Sequence, residues 1–116
     1  MELQINIDCA DLDRMVDFYV AALDYVPYGS AGVTYRSIVP AHGTGPKIVF
    51  QKVPEAKVVK NRVHLDVIVG DRIEAEAERF IGLGATRVSD GPFEEGGTSW
   101  IVLADPEGNE LCICLD

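Results

Sequence analysis

The side chains best suited to chemistry in this sequence sit in short alternating runs. Gln4-Ile5-Asn6-Ile7-Asp8-Cys9 is one, Val63-His64-Leu65-Asp66-Val67 a second, and Glu110-Leu111-Cys112-Ile113-Cys114-Leu115 a third. Successive side chains of a strand point to opposite faces. One face of these runs is therefore apolar, with Leu3, Ile5 and Ile7, then Val63, Leu65, Val67 and Val69, then Leu111, Ile113 and Leu115. The other gathers Gln4, Asn6 and Asp8, then His64, Asp66 and Ile68, then Glu110, Cys112 and Cys114. Amides, an imidazole, carboxylates and thiols are an odd choice for a second packed core. They suit a wet concave surface, a cup that accepts a small molecule. An antiparallel sheet with one face in water shows the same pattern without any function. A lone histidine on a strand is more often a hydrogen-bonded structural residue than a ligand, and Cys112 and Cys114 read first as small buried hydrophobes. No acid–histidine–nucleophile triad can be argued from these spacings, and no phosphate-cradling glycine loop is present.

Placing such runs requires a frame, and the sequence supplies a duplicated one. The run ending in Asp11 and the run from His64 to Asp71 share a layout sixty positions apart. Each terminal aspartate sits where a helix N-cap belongs, and the second has Glu74 in capping-box position. The helices that follow carry matching apolar stripes: Met15, Phe18, Tyr19, Ala22 and Leu23 in one, and Ile73, Ala77, Phe80, Ile81 and Gly84 in the other. Gly84 suits a left-handed residue at the helix end, where the first copy has Asp24. Strand-like runs follow at 25–28, 33–39 and 47–53, and at 86–89, 99–104 and 110–115. The fold class is therefore α+β, with two βαβββ modules at 1–56 and 60–116 joined by a polar, lysine-rich linker, Pro54 to Asn61. Half-chains this short can hardly bury a core alone, so the modules should pack on each other or on a second chain. Asp105-Pro106-Glu107-Gly108-Asn109 reads as a hairpin turn.

Composition narrows the partners. The 116 residues include 19 acidic and 10 basic side chains, a net charge of −9. That balance argues against nucleic acid, which is bound by Lys and Arg displacing phosphate counterions, and against anionic membranes. No apolar run reaches the ~20 residues of a membrane-crossing helix. Three cysteines without a CxxC pair, and no secretory signal at the start, fit free thiols in a reducing cytoplasm.

Taken in order, the paired modules, the helix with Phe18-Tyr19 and Leu23, the stretch Lys60-Asn61-Arg62-Val63-His64-Leu65-Asp66, Trp100 to Leu103 and the Asp105–Asn109 turn resemble the vicinal oxygen chelate superfamily. That superfamily includes glyoxalase I, extradiol dioxygenases and bleomycin-resistance proteins, and the likeness is strongest to its small glyoxalase-like members. The resemblance implies one glyoxalase-like domain over 1–116, a curved mixed sheet around a central cup, and a homodimer. Carried over residue by residue, the metal-ligand positions fall on Gln4, Gln51, His64 and Cys112. Enzymes of the superfamily usually supply Glu at one or both late positions; here Glu110 lies two residues early. Two amides suit a hard cation poorly, whereas imidazole and thiolate favour Zn²⁺, Ni²⁺ or Fe²⁺. Two functions fit this frame. In one, a metal-dependent lyase, isomerase or dioxygenase uses Asp66 or Glu110 as base. In the other, a metal-free pocket sequesters a small organic molecule, with Asn6, Tyr35 and Trp100 as ligand-binding residues and the negative charge steering a cation. A subunit-interface module with a vestigial cup is what remains if neither holds.

Overall fold

At the first strand–helix junction the Asp11 carboxylate accepts the Arg14 amide at 3.1 Å, and α1 (Leu12–Leu23) starts there. The computed structural model describes residues 1–116 and forms two compact units, Met1–Ala56 and Lys57–Asp116. The first unit holds β1 (Gln4–Cys9), α1, β2 (Tyr25–Tyr28), β3 (Tyr35–Pro40) and β4 (Lys47–Lys52). Its sheet runs β1-β4-β3-β2, with β1 parallel to β4 and the other pairs antiparallel. The second unit holds β5 (Leu65–Ile68), α2 (Ile73–Leu83), β6 (Thr86–Arg87), β7 (Phe93–Glu95), β8 (Thr98–Ala104) and β9 (Glu110–Cys114). Its sheet runs β5-β9-β8-β6, β7 pairs with β8, and β5 is parallel to β9. The chain is α+β with mixed sheets.

Each helix covers the apolar face of its own sheet. Met15, Phe18, Tyr19 and Ala22 of α1 are buried, as are Ile38, Ile48 and Phe50 of the sheet. Tyr19 stacks on Phe50 at 5.4 Å and meets Phe18 edge-on at 4.9 Å. In the second unit Ala77 and Phe80 lie buried, as do Ile101, Leu103, Leu111 and Ile113. Burial of each large apolar side chain contributes about 1.5–3 kcal/mol.

The second helix departs from expectation at its start. Asp71 is not its cap: α2 begins one residue later, after Arg72, which makes no side-chain cap hydrogen bond. Gly70, at φ 67°, turns the chain sharply just before. Glu74 does not close a capping box, because Arg87 of β6 takes its carboxylate at 3.1 and 3.4 Å. At the helix ends Gly84 has φ 126°, whereas Asp24 adopts the left-handed conformation at φ 56° and donates its N–H to the Val20 carbonyl. Phe93–Glu95, outside the strand-like runs of the sequence, pairs with β8 as β7, so the second unit has one strand more than the first. β3 starts at Tyr35, two residues later than the apolar pattern indicated, and Val33 is exposed.

The turn after β8 is fastened by one buried carboxylate. Asp105, 2% exposed, accepts the Glu107 and Asn109 amides at 2.9 and 3.0 Å and the Asn109 side-chain amide at 2.9 Å. Its own N–H donates to the Asn109 carbonyl at 2.8 Å. The turn sets where β9 begins. Asp105→Ala is expected to destabilise the protein by about 2–4 kcal/mol in urea unfolding, since several charge-assisted bonds are lost at a buried site.

Candidate metal centre

β5 and β9 run side by side in the register Leu65↔Leu111, Asp66↔Cys112, Val67↔Ile113 and Ile68↔Cys114. The apolar members face α2 and the core; Asp66, Cys112 and Cys114 share the opposite face. His64 precedes β5 by one residue and joins them. Its Nδ1 lies 3.2 Å from Asp66 Oδ1 and 4.0 Å from Cys112 Sγ. One ligand atom from each of His64, Asp66 and Cys112 falls within 4.8 Å of the others. The thiol is buried while the imidazole and carboxylate are exposed, so the cluster has a protected floor and an open mouth. Burial first, and then the charge and hydrogen bond of Asp66, together push the Cys112 thiol up to about 11. Cys114 is likewise pushed up to about 11, first by burial and then by Asp66. Neither thiol is a nucleophile near neutral pH.

The donor set fits a borderline cation. In a tetrahedral site with bonds of about 2.0–2.3 Å, neighbouring ligand atoms stand roughly 3.3–3.7 Å apart. The 3.2 Å His64–Asp66 separation is close to this, and the 4.0 Å from His64 to Cys112, in a cluster spanning up to 4.8 Å, needs a closure that exposed His64 and Asp66 can make. Imidazole, carboxylate and thiolate suit Zn²⁺, Ni²⁺ or Fe²⁺ better than Mg²⁺ or Mn²⁺, which prefer oxygen throughout.

Glu110 shares this face but is otherwise engaged. Lys57 Nζ donates to Oε1 at 2.9 Å and the Asn61 amide to Oε2 at 3.0 Å. The Lys57 hydrogen bond, with smaller help from backbone amides, holds the carboxyl at about 2 instead of 4.5. So acidic a group accepts a proton poorly near neutrality, and Glu110 instead ties the Lys57–Asn61 stretch to β9. The second half of the expected linker is thus part of the second unit.

Trp100 pairs with Cys114 across β8 and β9, which puts it on the donor face, and its ring lies 5.9 Å from that of Phe93. Phe93 lies outside the strand-like runs of the sequence, and only the pairing of β7 with β8 brings it beside Trp100.

In the first unit Gln4, Asn6, Asp8, Val49, Gln51 and Tyr35 share the sheet face turned away from α1. The structure does not bring Gln4 and Gln51 together. Gln4 pairs with Lys47, whereas Gln51 pairs with Asp8 and Tyr35. Four residue steps separate the amides, about 13 Å along the strands. A shared ion is beyond their joint reach.

The second sheet thus carries three metal-competent donors at the strand pair β5–β9, within a module of βαβββ type. The family comparison makes this specific: the model of the Glyoxalase-like domain matches residues 4–114, and the chain belongs to that family. A search of curated protein sequences finds no match. Among solved structures, a glyoxalase/bleomycin resistance protein/dioxygenase family enzyme from Burkholderia phytofirmans PsJN superposes with TM-score 0.77 at 22% identity, covering 96% of this chain and 94% of that one. The fosfomycin resistance protein FosX from Mesorhizobium loti gives TM-score 0.76 at 14% identity over 100% and 92% of the two chains. A genomically encoded FosX from Listeria monocytogenes, complexed with Mn(II) and sulfate, is 13% identical over 100% and 92%, with TM-score 0.77. These likenesses establish the fold of the glyoxalase/bleomycin resistance/dioxygenase proteins.

Two outcomes follow from the electrostatics of this unit. Lys57→Met should return the Glu110 carboxyl from about 2 toward 4.5, read by carboxyl NMR titration. Because the folded value is depressed, the stability that this pairing contributes is present above about 4.5 and is lost as pH falls through about 2. Acid unfolding of Lys57→Met should accordingly begin at higher pH than that of the wild type.

Proposed function

We propose that this protein is a metal-dependent lyase or isomerase of the glyoxalase-like family that acts on a small, oxygen-bearing organic molecule. The observation that carries the reading is the convergence of His64, Asp66 and Cys112 within 4.8 Å on one open strand face. A divalent ion bound there would polarise a substrate oxygen. His64 and Asp66 supply the accessible donors, and Cys112, at the buried floor, supplies the soft one. In this reading Asp66 serves as a ligand, and Glu110 serves to seat β9. Trp100 and Phe93 offer ring faces to the apolar body of the substrate. FosX complexed with Mn(II) shows that this fold accommodates a metal, which supports the assignment without fixing the ion or the reaction. The same proposal has the protein working as a homodimer in the cytoplasm, supported by the family resemblance and by three free cysteines.

A second reading rests on the Phe93–Trp100 pair and the net charge of −9: metal-free sequestration of a cationic aromatic molecule. Metal analysis of tag-free protein, followed by Zn²⁺, Ni²⁺ and Fe²⁺ titration, separates the two. One equivalent of metal is expected, with affinity falling by about tenfold or more in His64→Ala and Cys112→Ser. Binding must displace the Cys112 proton, so affinity should climb by close to tenfold per pH unit from about pH 7 to 9, a slope that Cys112→Ser flattens. No stoichiometric metal, with variants indistinguishable from wild type, would overturn the enzyme reading. Quenching of Trp100 fluorescence by cationic aromatics in metal-free protein would then favour sequestration.

A further inference from the structure

We propose that the first unit carries a binding site for a singly charged organic acid, in the cavity at the Lys47 end of its sheet. The cavity measures about 820 Å³ and is lined by Gln4, Tyr28, Val39, Thr44, Pro46 and Lys47 among others. Lys47 is the reason to expect an anion. Ten basic side chains are spread over the sequence, and those that are half-buried are otherwise neutralised: Arg36 by Asp13, Lys57 by Glu110 and Arg87 by Glu74. Arg14, Lys52, Lys60 and Arg62, which have no acidic partner, stand in solvent. Lys47 alone is half-buried with no carboxylate bound to it, although the chain has almost twice as many acids as bases. Its ammonium lies 5.7 Å from the centre of the Tyr28 ring, a contact that holds the charge in place without neutralising it.

The surroundings suit a carboxylate with an apolar body. Thr44 contributes a hydroxyl, and the amides of Gly43, Thr44 and Gly45 make no hydrogen bond within the protein. The loop that presents them is fastened, since Tyr25 donates its hydroxyl to the Pro46 carbonyl at 3.0 Å. A Cβ on Gly45 would stand 3.0 Å from Pro40 and 3.3 Å from the Tyr25 hydroxyl, so glycine permits this close seat. Val39 and Pro46 supply the apolar wall. Glu2 also lines the cavity and is exposed; its charge opposes any anion and weighs about twice as heavily against a dianion, so a singly charged occupant is favoured. None of these groups belongs to the His64–Asp66–Cys112 cluster, so the proposal stands independently of the metal reading.

The test is an amide NMR titration with benzoate against its neutral isostere benzamide. Benzoate should bind saturably, roughly in the millimolar range, with shifts centred on Gly43, Thr44, Gly45 and Lys47. Benzamide should bind about tenfold more weakly or not at all, as should benzoate to Lys47→Met and Lys47→Gln, since a charge-assisted bond is lost. Lys52→Met, on the exposed end of β4, should bind benzoate as wild type does, and Zn²⁺ titration of Lys47→Met should be unchanged. Equal binding of benzamide and benzoate would overturn the proposal. So would undiminished binding by both Lys47 variants, or unsaturable shifts spread across the protein.

Discussion

In each unit the strand that opens the module lies parallel to the strand that closes its sheet ladder, β1 with β4 and β5 with β9. Side chains alternate with a period of two, so a slip of one residue would exchange the two faces of a strand. In the second unit that slip would drive Asp66 into the core and lift Leu65 and Val67 into solvent. Leu111 and Ile113, buried beside them, set the register through the hydrophobic effect, and together such side chains contribute several kcal/mol. His64, Asp66 and Cys112 meet because their apolar neighbours are fixed. The donor cluster is a by-product of core packing, and its own polar contacts need contribute little to holding it.

That dependence explains what was legible beforehand. The alternation in Gln4–Cys9 and Glu110–Cys114, the helical stripes and the Asp11 cap are local patterns, and they led to the right element types and faces. His64 and Cys112, each in a run with a legible polar face, stand 4.0 Å apart. Strand register is not a local property. Gln4 and Gln51 have the right chemistry and share a face, yet the β1–β4 pairing sets them at opposite ends of the ladder. Asp66 is a candidate base in the sequence because it shares the face of His64; that the Cys112 thiol stands opposite it comes from the β5–β9 register. Glu110 is the other candidate, and its partner Lys57, fifty-three positions away, cannot be seen in sequence. The absent Glu74 capping box has a similar cause: Arg87, on another element, takes the Glu74 carboxylate.

Charge is used unevenly in this chain. Three half-buried bases each face an acid, and these pairs join separate elements: α1 to β3, the 57–61 stretch to β9, and α2 to β6. They act as positional fasteners more than as sources of stability, since pairs this close to solvent are worth little in isolation. Lys47 breaks the pattern: it is half-buried against the Tyr28 ring with no carboxylate bound to it, in a strongly acidic protein.

Asp24 shows how duplicated halves can diverge without losing their common shape. Where the second unit ends its helix on glycine, the first bends an L-residue into a conformation that costs roughly 1 kcal/mol or more. The bend persists because the Asp24 carbonyl accepts the Ala41 amide at 3.0 Å, pinning the helix exit to the loop after β3. The first half therefore carries a small conformational debt guaranteed by its sheet, and any drift in that loop would release the helix end first.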